Sequence, residues 1–108
     1  KLEQLNLKWI SELQETFPNI PIGYSGHEVG VTPSIIAVAR YGATCVERHI
    51  TLDRALWGPD QSASLEPDGI KRVAQAIRSI QVVHGNTNKS VLEEEVPIAA
   101  KLRRVKDF

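Results

Sequence analysis

The chain has 108 residues, with 13 basic and 13 acidic side chains, 42% hydrophobic residues, one cysteine and no methionine. Because the charges balance, the composition does not indicate a basic surface for nucleic acid or an anionic membrane. The apolar stretches are shorter than the roughly 20 residues that span a bilayer. A single cysteine permits no internal disulfide, so we expect a cytoplasmic protein, and the missing methionine suggests that the chain begins within a longer one.

The first predicted elements are a helix and a buried strand. Apolar residues recur at helical spacing from Leu2 to Phe17, and Pro18 with Asn19 ends that helix. The apolar segment from Ile20 to Ser25 follows and predicts a strand.

A second helix and a second strand come next. Thr32 and Pro33 are typical of an N-cap followed by proline at the first helical position, which predicts a helix from Pro33 to Tyr41. Gly42 fits its C-terminal cap. Residues 44–51 are rich in strand-forming side chains and predict the second strand.

The remainder is predicted as a loop, a helix and a tail. Residues 52–65 show no sustained period and indicate a loop, whereas apolar residues after Pro67 predict an amphipathic helix that ends at His84 and Gly85. Beyond the loop at residues 86–89, the segment 91–108 is charged and aperiodic, which favours a linker.

The order of these elements indicates an α/β fold. Near-continuous apolar strands that alternate with helices are typical of parallel sheets, and a (β/α)8 barrel of the TIM type would contain this pattern as its last part. A doubly wound sheet is the alternative, and periodicity alone does not separate the two. Because two strands are too few for a stable sheet, we expect a fragment with about two strands and three helices.

Strand parity places four polar side chains at one end of the predicted sheet. Residues two apart share a face, so Glu47 and His49 lie together, as do Ser25 and His27. Parallel strands joined by a helix end side by side, and we therefore expect the four to converge. Arg48 is the exception on the otherwise aliphatic face, where it either extends between helices or pairs with an acid.

Two neutral imidazoles suit a divalent transition metal whose remaining ligands are water or substrate oxygens. The other interpretation is that His27 and His49 end their strands with local hydrogen bonds, because two histidines without a third ligand are no zinc signature. His84 is explained by the helix dipole.

The loop before the last helix carries further candidates with two interpretations each. Asp60 follows Gly58 and Pro59 and is, on composition alone, an ordinary turn acid. Ser64 or Glu66 fits a helix cap, although the same free N–H groups suit a phosphate.

Three motifs together resemble the sialic acid synthase (N-acetylneuraminate synthase) family. They are GYSGHE at 23–28, ERHITLD at 47–53 and GPDQSASLEP at 58–67, in the family's order and spacing. The resemblance implies that residues 1–88 are the C-terminal part of a catalytic barrel and that 89–108 begin the linker to an antifreeze-like domain. Gln61 stands where many members carry histidine, so no acid–base role is assigned there.

The resemblance also implies roles for the site residues. His27 and His49 match the histidines that hold Mn2+ or Mg2+, and Ser25 matches a residue near phosphoenolpyruvate. Glu47 and Asp60 match acids that contact the acceptor sugar and take part in catalysis, and Ser64 is a candidate for binding substrate.

The implied activity is condensation of phosphoenolpyruvate with N-acetylmannosamine or its 6-phosphate. The full-length parent is expected to be a homodimer, and residues 1–108 alone are expected to be inactive because the family's earlier strands supply further catalytic groups. Relatives that make other nonulosonic acids are alternatives. A non-catalytic α/β module that binds a sugar or a metal is another, because fold alone does not carry function.

Overall fold

The computed structural model describes residues 1–104, which form two parallel strands and four α-helices. In chain order these are α1 (Trp9–Thr16), β1 (Tyr24–Gly26), α2 (Thr32–Ala39), β2 (Val46–Arg48), α3 (Pro67–His84) and α4 (Val96–Leu102). Short 3₁₀ turns lie at Leu2–Gln4 and Glu93–Glu95. None of the helices in this part of the chain has the length and apolar character that a bilayer crossing requires.

The two strands pair in parallel, with Ser25 opposite Glu47 and Gly26 opposite Arg48. Both are shorter than the sequence predicts. Backbone hydrogen bonds still join the segments before them, from Thr44 N to the Ile22 carbonyl at 2.8 Å and from Tyr24 N to the Cys45 carbonyl at 2.9 Å. Pro21 has no N–H group and cannot extend this pairing further. On the other side, Ile50 forms an isolated parallel bridge with Leu65, so the loop returns to the end of the second strand.

The prediction of one helix from Leu2 to Phe17 is wrong at its beginning. Asn6 has a φ of 49°, a left-handed conformation that interrupts any right-handed helix, and α1 begins only at Trp9. The end is close to the prediction, because Thr16 is the last helical residue before Pro18.

The turn signals around α2 and α3 are mostly confirmed. Proline stands in the first turn of each, as the second residue of α2 and the first residue of α3, and Gly42 and Gly85, which follow them, have φ values of 70° and 59°. The predicted cap at Thr32 is wrong, because Val31 is the N-cap of α2 and provides no side-chain hydrogen bond.

The segment predicted to lack regular structure contains a helix. Three acids at the Glu93–Glu95 turn lead directly into α4, where Pro97 stands in the first turn and Ala99 is buried. Acids at a helix start and proline in its first turn both favour a helix, although seven residues are too few to show an apolar period. Residues 1–104 therefore contain four α-helices where about three are predicted, and residues 105–108 of the predicted linker lie outside the described part.

The core lies where α1, α2 and the strands meet. Ile10, Ala37 and Ala43 are its buried residues, and Ile22 and Tyr24 pack against them. Helix α2 contacts both β1 and α3. The small side chains of Ala37 and Ala43 allow this close approach, which fixes the strands from one side and leaves the other side to the polar residues.

Gly23 marks a close approach between the two strand segments. A Cβ atom at this position would overlap Cys45 Sγ and lie 3.0 Å from the Cys45 carbonyl oxygen. We expect Gly23→Ala to lower the free energy of unfolding by about 1–3 kcal/mol, as overpacking does. Urea unfolding measures the effect, and Gly23→Ala combined with Cys45→Ala should recover part of the loss. An unchanged urea midpoint in the single variant would contradict the close approach.

Candidate functional site

Ser25 and Glu47 form the first part of the candidate site. They are opposite each other in the strand register, and the Ser25 hydroxyl donates a hydrogen bond to Glu47 Oε1 at 2.8 Å. Both residues are exposed on the side away from the core. The bond holds one carboxylate oxygen in place and leaves Oε2 for a ligand or water.

His27 and His49 lie one step further along the strands. Their ring centroids are 4.8 Å apart with an interplanar angle of 62°, an edge-to-face contact. Both side chains remain accessible from solvent. The convergence that strand parity predicts for these two histidines, Ser25 and Glu47 is therefore present in the structure.

Asp60 approaches the histidines from the loop. Its Oδ2 lies 3.9 Å from His49 Nδ1, and its φ is 64°. The hydroxyl of Ser64 donates to the Asp60 carbonyl at 2.7 Å, and Thr51 donates to Gln61 Oε1 at 2.6 Å. These bonds tie the turn to the end of the second strand and bring the Asp60 carboxylate to the site.

The donor set fits a divalent cation in part. Two imidazoles suit Mn2+ with other ligands from water or substrate. Within residues 1–104, no group of three or more histidine, cysteine, aspartate or glutamate side chains is arranged to hold a metal ion. For such a cation the described residues bring together only the two imidazoles of His27 and His49, and a complete coordination shell would need further oxygens.

The capping interpretation of Ser64 and Glu66 is wrong. Glu66 is the N-cap of α3 but gives its first turn no side-chain hydrogen bond, and its Oε1 accepts from the Arg54 amide at 3.0 Å. Ser64 is buried and bonded to Asp60. Phosphate binding at this helix start stays a prediction.

Arg48 forms one half of a buried ion pair. Its Nη1 lies 3.1 Å from Glu28 Oε1, and the two side chains are only 4% and 2% exposed. Sequence reasoning missed Glu28 as the partner. The register supplies the signal, because Gly26 lies opposite Arg48 and residues two apart share a face, so Glu28 falls on the Arg48 side.

Tyr24 is the neighbour of Glu28 on this face. Its hydroxyl donates to Glu28 Oε2 at 2.9 Å. Burial, followed by the hydrogen bond and the negative charge of Glu28, raises the pKa of Tyr24 from 10.0 to about 12, while the charge of Arg48 opposes the shift. The neutral phenol is therefore the form that the fold stabilises.

Solved structures share this arrangement of elements. The chain aligns with sialic acid synthetase from Leptospira borgpetersenii, crystallised with citrate, at a TM-score of 0.68 and 32% identity over 93% of this chain and 35% of that one. It aligns with the Bacillus subtilis spore coat polysaccharide biosynthesis protein spsE at a TM-score of 0.70 and 34% identity, over 87% and 26%. The α/β fold is that of sialic acid synthase structures.

Curated sequences give a consistent result. Human N-acetylneuraminate-9-phosphate synthase is 47% identical over 93% of this chain, and the N,N'-diacetyllegionaminic acid synthase of Legionella pneumophila is 38% identical over 94%. The chain spans 28% of the length of each. Residues 1–89 match the NeuB family, and the chain belongs to that family. The resemblance drawn from the three motifs is confirmed.

The raised pKa of Tyr24 has a consequence for stability in alkaline solution. A folded-state pKa of about 12 above the ordinary 10.0 contributes stability that is complete below pH 10 and is lost as the pH rises toward 12. We expect the free energy of unfolding to fall over this interval, and to fall less in Tyr24→Phe. Urea unfolding at stepped pH measures both, with Tyr41→Phe as control. Equal slopes in the unchanged chain and Tyr24→Phe would contradict the assignment.

Proposed function

We propose that the protein containing this chain condenses phosphoenolpyruvate with an N-acetylmannosamine acceptor to make a sialic acid and phosphate. The observation that carries the proposal is the convergence of two pairs, Ser25 with Glu47 and His27 with His49, at the ends of parallel strands. Relatives named as synthases of N-acetylneuraminate 9-phosphate and diacetyllegionaminic acid support the reaction class.

In this proposal, residues 1–88 are the C-terminal part of a (β/α)8 barrel, and residues 89–108 lead toward a further domain. The site supports the barrel assignment, because barrel enzymes carry their catalytic groups at the carboxyl ends of the strands. Ser25, His27, Glu47 and His49 lie at or just beyond the ends of β1 and β2. The parent would be a cytoplasmic homodimer.

Within this proposal the acceptor is N-acetylmannosamine 6-phosphate, and the sequence identities support that choice. The relative that makes the 9-phosphate product is 47% identical to this chain, compared with 38% for the diacetyllegionaminic acid synthase. A 9-phosphate on the product corresponds to a 6-phosphate on the acceptor, because three carbons are added at the aldehyde end.

The reaction forms one carbon–carbon bond and consumes one water. C3 of the enolpyruvate attacks the sugar aldehyde, the resulting oxocarbenium-like centre at C2 adds water, and phosphate leaves by C–O cleavage. His27 and His49 would hold Mn2+ or Mg2+, and a bound cation would supply Lewis-acid polarisation of the aldehyde oxygen.

The carboxylates and the hydroxyl have distinct duties in this scheme. The Glu47 carboxylate, oriented by Ser25, stabilises the cationic C2 centre and directs the incoming water toward it. Ser25 lies beside phosphoenolpyruvate, and Asp60 contacts the acceptor from the loop that faces His49. Ser64 supports Asp60 through the carbonyl of that residue. It lies two residues before the N-cap of α3, near the helix start where a phosphate is proposed to bind.

The metal assignment is tested by calorimetric titration of Mn2+ into the full-length protein. We expect saturable binding that His27→Ala and His49→Ala both abolish, because each removes one of two protein ligands. His84→Ala is the matched control, since His84 is an exposed histidine at the end of α3, outside the site, and binding should be unchanged. Undiminished binding in both site variants would rule out this pair as the metal ligands.

The reaction assignment is tested by phosphate release with phosphoenolpyruvate and N-acetylmannosamine 6-phosphate together. We expect release only when both are present, and a fall in kcat of about a hundredfold or more in Glu47→Gln, as removal of a positioned acid–base group produces. Glu12→Gln, an exposed acid in α1, is the control. Mass spectrometry of the product separates the phosphorylated acceptor from its competitors. Unchanged turnover in Glu47→Gln would exclude Glu47 from the chemistry.

A further inference from the structure

The buried ion pair between Glu28 and Arg48 is joined by the chain to both histidines. His27 directly precedes Glu28, and His49 directly follows Arg48. The paired register of β1 and β2 ends at Gly26 and Arg48. The ion pair therefore lies where the strand ladder stops and the site begins, on the face opposite the imidazoles.

The Arg48 guanidinium connects three further segments. Nη1 donates to the Gly30 carbonyl at 2.7 Å and to the Ser34 hydroxyl at 3.2 Å, so it holds the loop after β1 and the first turn of α2. Nη2 donates to the Glu28 carbonyl at 2.7 Å and to the Ala63 carbonyl at 3.1 Å. The last bond reaches the turn that carries Asp60.

The Glu28 carboxylate is fixed by donors on both oxygens. Ser34 donates to Oε1 at 2.9 Å and Tyr24 donates to Oε2 at 2.9 Å. Gly26 lies against this cluster, and a Cβ there would be 2.8 Å from Arg48 Cδ and 2.9 Å from Tyr24 Cε1. The missing side chain allows the charged groups to pack at this depth.

Stability alone is a poor explanation for this pair. A buried ion pair is often no more stabilising than well-packed apolar residues, because desolvation offsets the attraction. Arg48 Nε is also buried without a hydrogen-bond partner, the one such side-chain atom found in residues 1–104. The cluster does supply a defined geometry, because the planar guanidinium of Arg48 donates to acceptors from several segments.

We propose that Arg48 is a positioning residue that sets the spacing of His27 and His49 through Glu28, and the place of the Asp60 turn through Ala63. The assignment rests on the proposed function, which gives the two imidazoles their role. A shift of the ion pair moves the neighbouring backbone, and each histidine is one residue away from it. Neither charged side chain needs to touch substrate for this effect.

Arg48→Lys is the informative variant, because it keeps the charge and removes the planar fork. Arg40→Lys, an exposed arginine in the same chain, is the matched control. The first readout is the NMR cross-peak between the two imidazole rings in metal-free protein, assigned with His27→Ala and His49→Ala. The second is the dissociation constant for Mn2+. A merely stabilising role would change neither readout in protein that is fully folded.

We expect Arg48→Lys to lose or weaken the ring cross-peak and to weaken Mn2+ binding about tenfold, the lower range for groups that orient metal ligands. Arg40→Lys should change neither. Glu28→Gln, which keeps size and an acceptor oxygen, is a second variant judged by the same readouts. A folded Arg48→Lys with the unchanged cross-peak and affinity overturns the proposal, and so does global unfolding of both variants, which would assign the pair to the core.

The same measurements separate this proposal from the proposed function. If Arg48→Lys loses the ring cross-peak while Mn2+ binds equally well without either histidine, the positioning role stands and the metal site fails. If both histidine variants lose Mn2+ while Arg48→Lys retains binding and cross-peak, the metal site stands and the positioning role fails.

Discussion

The parallel register that sets Ser25 opposite Glu47 is the constraint on which the rest of the structure depends. A slip of one residue would turn every side chain of one strand to the other face. On the exposed face of the sheet, the Ser25–Glu47 hydrogen bond and the contact of the two imidazoles would be lost. On the buried face, Arg48 would lose its ion pair with Glu28 and become exposed to solvent. One backbone alignment thus maintains both the polar site and its buried support.

The parts of the site that follow from strand parity were predictable from the sequence. Ser25 and His27 are two residues apart, as are Glu47 and His49, so each pair shares a face of its strand. Parallel strands joined by a helix end side by side, which brings the two pairs together. The partner of Arg48 was not predictable in this way. Its identity depends on which residue of the other strand lies opposite, and the register is a property of the pair that neither strand specifies alone.

Local signals predicted helix ends unevenly, and the reasons differ. Proline and glycine act through their own backbone, so α2 and α3 begin and end near the predicted positions. The left-handed Asn6 interrupts an apolar stripe that reads as continuous helix, because periodicity reports side chains and not φ angles. Ser64 and Glu66 fit a cap by type, but the loop engages them in other bonds.

The backbone at Asp60 restricts how this position can change during evolution. With a φ of 64°, the residue occupies a region that aspartate, asparagine and glycine tolerate and that costs other residues about 1–2 kcal/mol. Glutamate, which preserves the negative charge, is therefore a worse replacement for the fold than asparagine, which abolishes it. A change from aspartate to asparagine at this turn would therefore keep the backbone conformation and remove the carboxylate that faces His49.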